Sequence, residues 1–179
     1  MSAEQTAPVR RIWLAGFMAA GKSTVGRLLA DELGWQFVDT DELVTSRAER
    51  SIPELFEEGE ELFRSLEREA VREAAGDQRC VIALGGGALQ DEETRAFIRR
   101  GGLLVYLRVE PDELERRLRT ETLSRPLVRG KKQDELRARI AALLDDRIPH
   151  YENADLIVPA GARRDPGAIV KDIKDAIER

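Results

Sequence analysis

An apolar run, Ile12-Trp13-Leu14-Ala15, passes straight into Gly16-Phe17-Met18-Ala19-Ala20-Gly21-Lys22-Ser23-Thr24, which fits G-x-x-x-x-G-K-[S/T]. That order of strand, glycine-rich turn and helix start is a phosphate-binding loop. The glycines let successive backbone N–H groups turn inward around phosphate oxygens, Lys22 reaches the terminal phosphates, and the Ser23 hydroxyl is placed to ligate Mg²⁺. Val25, Leu28, Leu29 and Leu33 follow at helical spacing and Gly34 supplies a stop. A glycine turn that merely opens a helix would need neither the lysine nor the hydroxyl at these positions.

A chain of 179 residues is long enough to bury about 70% of its unfolded surface in one core. No internal linker divides it, so a single domain is expected from residue 11 to 179. Residues 1 to 10 read as a flexible N-terminus and not as a targeting peptide. No window reaches the length of a membrane span. With Cys80 the only cysteine and His150 the only histidine, an internal disulfide and a His/Cys metal cluster are both excluded. The cytoplasm is the expected compartment and a monomer the expected state.

The net charge is −5, but its distribution is uneven. Residues 116 to 132 carry seven basic side chains (Arg116, Arg117, Arg119, Arg125, Arg129, Lys131, Lys132) against Glu121, which makes this segment +6 and the remainder −11. A solvated helix end, a nucleic-acid strip or a mobile element that meets a polyanion would each explain it. Nucleic acid fits worst, since the segment has no aromatic residue for base stacking and the rest of the chain would repel a duplex.

Four further apolar runs, Gln36-Phe37-Val38, Val81 to Leu84, Leu103 to Leu107 and Leu156-Ile157-Val158, are apolar on consecutive residues, as strands buried on both faces of a parallel sheet are. The fold class expected is therefore α/β. Ser51-Ile52-Pro53-Glu54 has capping-box spacing ahead of an amphipathic stretch from Leu55 to Ala75. Pro111 opens a helix to about Leu118, another spans about 133 to 147, and Pro166 opens the last.

Three clusters carry further chemistry. Asp39-Thr40-Asp41 falls at the carboxyl end of the second strand, where open α/β sheets bind ligands. Asp39 has capping-box spacing to Glu42, yet two carboxylates on alternate residues cannot both cap, which leaves one for Mg²⁺ or a substrate hydroxyl. Gly85-Gly86-Gly87 follows the third strand and points to close backbone approach of a ligand more than to a flexible turn. No acid ends that strand, so Asp39 or water must do more of the metal work. Among the arginines, Arg64 stands four residues after Glu60, Arg147 lies near a helix end and Arg125 precedes Pro126. An ion pair, a dipole complement and a loop are equally good accounts of these three.

Taken together, Gly16 to Gly26, Phe37-Val38-Asp39-Thr40-Asp41, Phe63-Arg64-x-x-Glu67, Leu84-Gly85-Gly86-Gly87, Arg125-Pro126-Leu127 and Arg147-x-x-x-Tyr151 resemble the shikimate kinase family. The resemblance runs from Arg11 to the C-terminus. It implies a three-layer α/β/α P-loop kinase fold with a central five-stranded parallel sheet, a substrate-binding helical segment over about 40 to 75 and a mobile lid over about 118 to 132. It implies that ATP phosphorylates the 3-hydroxyl of shikimate. Ala19, Ala20, Gly21, Lys22, Ser23, Thr24, Arg119, Arg125 and Arg164 would bind the nucleotide, with Arg119 and Arg164 flanking adenine. Asp41, Arg64, Gly85, Gly86, Gly87 and Arg147 would bind shikimate, with the two arginines on its carboxylate. Lys22, Asp41 and Arg125 would be catalytic, and Ser23 with Asp39 would hold Mg²⁺. Ala19 replaces a glycine common in the family's loop, so slightly altered loop geometry with binding kept is expected.

A gluconate or nucleoside monophosphate kinase is the alternative enzyme, since gluconate also carries a carboxylate. A nucleotide-binding regulator that performs no transfer is the alternative outside enzymes.

Overall fold

The computed structural model describes residues 9–76, 79–120 and 133–178. Five strands, β1 (Arg11–Ala15), β2 (Gln36–Asp39), β3 (Cys80–Ala83), β4 (Leu103–Arg108) and β5 (Leu156–Pro159), form one sheet in the order β2-β3-β1-β4-β5. Every pairing is parallel. The helices are α1 (Lys22–Leu33), α2 (Thr40–Ala48), α3 (Ile52–Glu58), α4 (Glu60–Ala74), α5 (Glu92–Gly101), α6 (Pro111–Thr120), α7 (Gln133–Tyr151) and α8 (Pro166–Ile177).

The strands are apolar on consecutive residues because both faces are covered. Ile12, Leu14, Val105 and Leu107 pack with Val25 and Leu29 of α1, Ile140 and Leu144 of α7, and Ile169 and Ile173 of α8. Trp13, Ile82, Leu104 and Tyr106 point the other way, onto Val71 of α4, Ile98 of α5 and Tyr151. Three layers result, as expected. Alternate residues of one strand thus serve two cores.

A third, smaller core of Val44, Leu55, Phe63 and Ala70 joins α2, α3 and α4, and Phe56 stacks on Phe63 with ring centroids 4.4 Å apart. This corrects one expectation from the sequence. The amphipathic stretch from Leu55 to Ala75 is two helices and not one, because Gly59 at φ 154° and ψ 136° leaves the helical region and reorients the chain. The capping box at Ser51 and Glu54 is present and starts the shorter of the two. Among the described residues no helix is long and apolar enough to cross a membrane.

The substrate cleft and the phosphate loop

The carboxyl ends of β1, β2 and β3 open onto a cleft of about 650 Å³. It brings together Ala19, Gly21, Lys22, Ser23 and Thr24 of the loop, Asp39 and Asp41, Arg64, Gly86 and Gly87, and Arg147. Residues from five separated stretches of sequence meet here because parallel strands all present the same end to one side of the sheet.

The loop runs between β1 and α1. Gly21 (φ 92°) precedes the helix, and the Val25 N–H donates back to its carbonyl at 2.9 Å. Lys22 Nζ donates across the loop to the carbonyls of Gly16 (2.8 Å) and Phe17 (3.0 Å). Ala20 is buried behind the loop. Ala19 adopts φ 61°, a left-handed conformation. Ala19 thus takes a backbone conformation that glycine adopts more readily, at a strain of about 1 kcal/mol for an L-residue.

Asp39 does two jobs with two oxygens. Its Oδ1 accepts from the N–H groups of Asp41 (3.0 Å) and Glu42 (3.4 Å) and caps α2, while its Oδ2 accepts from the Ser23 hydroxyl at 2.6 Å. Asp39 stands in register with Ala83 of the adjacent strand, one strand away from the end of β3 that carries no acid. Capping by Asp39 leaves Asp41 to face the cleft. Thr40 between them is fully buried and its hydroxyl accepts from the Gly85 N–H at 2.9 Å, tying this segment to the glycine triplet.

The glycines are required by close approach, but the described neighbours are side chains of the cleft itself. A Cβ on Gly85 would lie 2.5 Å from Glu67 Oε1 and 2.7 Å from Asp41 Oδ1, and one on Gly87 would lie 2.7 Å from Arg64 Nη1. Arg64 donates to Glu67 at 2.7 Å and to Glu60 at 3.2 Å. The Glu60 pair expected from spacing is therefore present but secondary. Glu67 is 4% exposed. Burial pushes its carboxyl up, more than the Arg64 guanidinium pulls it down, and the nearby Asp41 charge adds to the rise.

Arg147 is 4% exposed and packs over the Phe17 ring at 5.4 Å. Its Nε and Nη1 are buried without a hydrogen-bond partner. The helix runs one turn past Arg147, to Tyr151, and the guanidinium lines the cleft.

The two arginines expected beside adenine each have partners within the protein. Arg119 pairs with Glu115 on α6, and Arg164 is tied to α8 through Asp172 and the Ala168 carbonyl. It is Arg117 that reaches the loop, donating to the Ala19 carbonyl at 3.1 Å, the Ala160 carbonyl at 2.9 Å and Glu113 at 2.6 Å. Sequence reasoning counted Arg117 only as part of the basic run. The signal it overlooked was the i, i+4 spacing from Glu113. Arg125 and residues 121 to 132 of the expected lid lie outside the described residues.

Glu113 also accepts from Arg116 Nε at 2.7 Å and Nη2 at 2.8 Å, and these hydrogen bonds hold its carboxyl at about 2. A depressed carboxyl stabilises the fold above its unfolded pKa, near 4.5, and loses that contribution as pH falls towards about 2. With Arg116 exposed and screened, the contribution is about 0.5–1 kcal/mol. Urea unfolding should show the native protein losing that much more stability than Glu113→Gln between pH 5 and pH 2. Equal losses would remove the pair from the stability of α6.

Residues 18–178 match the family model described as shikimate kinase. The chain belongs to the shikimate kinase family. The shikimate kinase of Chlorobium limicola is 41% identical over 174 residues, covering 94% of this chain and 86% of that one. The crystal structure of shikimate kinase from Bacteroides thetaiotaomicron superposes with a TM-score of 0.88 at 38% identity, covering 94% of this chain and 98% of that one. Shikimate kinase from Acinetobacter baumannii in complex with shikimate gives 0.86 at 31% identity, with 95% and 93% covered. Family membership makes this chain an ATP-dependent kinase of the α/β P-loop class.

Proposed function

We propose that the cleft transfers the γ-phosphate of ATP to the 3-hydroxyl of shikimate, giving shikimate 3-phosphate and ADP. The observation that carries this reading is Arg147, whose guanidinium is buried in the cleft lining over Phe17 of the phosphate loop, with two N–H-bearing nitrogens unpartnered. A buried, unpaired fork donor is unfavourable unless a planar anion completes it, and a ring carboxylate does so. Arg64 stands ready as the second arm of that clamp.

The other roles follow from position. With the carboxylate held by Arg147 and Arg64, Asp41 orients the attacking hydroxyl and takes its proton as the oxygen–phosphorus bond forms. The Gly85-Gly86-Gly87 turn fits against the acceptor ring. The loop N–H groups from Ala19 to Thr24 cradle the phosphates and Lys22 swings onto the γ-phosphoryl group as negative charge shifts towards ADP. Ser23 and Asp39 supply hard oxygen donors of the kind Mg²⁺ prefers, and few enough that phosphates and water complete its shell. When bound, Mg²⁺ would neutralise charge on the β- and γ-phosphates. Arg125 would add a further cation from the lid over 118 to 132, and closure would exclude water. Arg119 and Arg164 flank adenine, and Arg117, on the same helix as Arg119, adds positive charge at the phosphate loop. We further propose one domain over 11 to 179, acting as a monomer in the cytoplasm with no nucleic-acid or membrane partner.

A coupled assay for ADP release tests the proposal with shikimate, gluconate and nucleoside monophosphates as acceptors. Turnover with shikimate alone is expected. Turnover with gluconate or a nucleotide but none with shikimate would reassign the acceptor, and ATP binding without acceptor-dependent release would make the chain a regulator.

A further inference from the structure

Tyr151 closes α7 one turn after Arg147, and the mechanism above makes no use of it. Its side chain is 2% exposed, and its ring stacks on Tyr106 with centroids 4.9 Å apart. The hydroxyl donates to the Gly86 carbonyl at 2.5 Å. The Arg147 guanidinium is near enough to the same hydroxyl to favour its ionised form, against the larger effect of burial. A Cβ on Gly86 would itself be 3.3 Å from Arg147 Nη1, so glycine, tyrosine and arginine form one contact.

From this geometry we infer that Tyr151 is a positioning residue for the acceptor: its buried hydroxyl locks the Arg147 guanidinium to the Gly86 turn, setting the distance between the carboxylate clamp and the acceptor's hydroxyl face. The inference rests on the shikimate reading. The phenol is suited to this because its one proton goes to a carbonyl that can only accept, which leaves its lone pairs available to the arginine. Burial pushes its pKa far up, and the proton stays in place throughout the neutral range. A buried Arg has several rotamers of similar packing, and a fixed hydroxyl selects among them.

The loss of the hydroxyl in Tyr151→Phe should raise the shikimate KM about tenfold and leave the ATP KM and kcat within about twofold, as expected for one hydrogen bond to a charged group. Tyr106→Phe, which removes a hydroxyl from the stacked partner, serves as the control and should alter neither KM. Shikimate affinity by calorimetry without nucleotide should show non-additivity: in an Arg147→Ala background the Tyr151→Phe change should have little further effect. A full tenfold effect in that background would make Tyr151 merely structural, and a native KM in Tyr151→Phe would end the proposal. Should Tyr151→Phe fail to fold, the native chain still decides. It has two tyrosines, so 3-fluorotyrosine labelling gives two ¹⁹F resonances, assigned with Tyr106→Phe. The Tyr151 resonance is expected to shift on adding shikimate and to hold still on adding ADP, and an unmoved resonance with shikimate bound overturns the role. If native enzyme shows no turnover with shikimate, the acceptor assignment fails first, and that outcome is distinct from all of these.

Discussion

Lys22→Ala should lower kcat by about 10²- to 10³-fold while ADP still binds, the loss expected when one charge donor to a developing transition-state anion is removed. The physical reason lies in the position of the ammonium. Lys22 Nζ sits on the inner side of the loop, against the Gly16 and Phe17 carbonyls, and a flexible four-carbon stem lets it exchange those oxygens for phosphate oxygens without moving the backbone. The loop's N–H groups would still bind the diphosphate of ADP, so ground-state binding survives better than turnover. Steady-state kinetics with saturating shikimate, together with calorimetric ADP binding, measure the two effects separately. Near-normal kcat would contradict a phosphoryl-transfer role for Lys22. Equal loss of ADP affinity and kcat would show instead that the lysine mainly shapes the loop.

Arg147→Ala should raise the shikimate KM about 10²-fold, against less than about threefold for ATP. A bidentate charge-assisted pair in a buried setting contributes about 3 kcal/mol, which corresponds to roughly that factor. Arg147→Lys separates charge from shape. It keeps the cation but not the planar fork, so an intermediate KM is expected. The Arg147 charge also favours the ionised form of Glu67, so Arg147→Ala should raise the Glu67 carboxyl still further. Because a carboxyl raised above its unfolded value destabilises the fold as pH rises from that value, near 4.5, Arg147→Ala should lose more stability than the native protein does between about pH 4.5 and neutrality. Equal increases in both KM values would count against the carboxylate assignment.

The way these residues reach their places shows how far local sequence carries. Consecutive apolar residues in β1, β3 and β4 were legible because a strand covered on both faces leaves no polar position. The helix starts at Ser51, Pro111 and Pro166 were legible for a similarly local reason, since caps and first-turn prolines act within four residues. The break at Gly59 was not, because one glycine inside an amphipathic stretch also fits a continuous helix, and only the small core of Val44, Leu55, Phe63 and Ala70 shows three helices packing there. The glycine triplet was read as a place where a ligand comes close to the backbone, and what lies close to it in the structure is the cleft's own side chains. Its neighbours are Glu67, Asp41 and Arg64, brought from 18 to 44 positions away.

By itself, the sequence determined a phosphate loop between a strand and a helix, a parallel α/β frame, and a family whose motifs occur in order. Each of these is written in contiguous residues, where backbone freedom, capping and side-chain alternation act over a few positions. Tertiary structure alone decided which of several plausible arginines are buried. It placed Arg147 over Phe17 with its nitrogens unpartnered, turned Arg117 onto the loop, split Asp39 between a cap and Ser23, and enclosed the Tyr151 hydroxyl between Gly86 and Arg147. The reason is that desolvation sets the strength of every one of these contacts, and burial is a property of the packed sheet and its helices, not of any one segment.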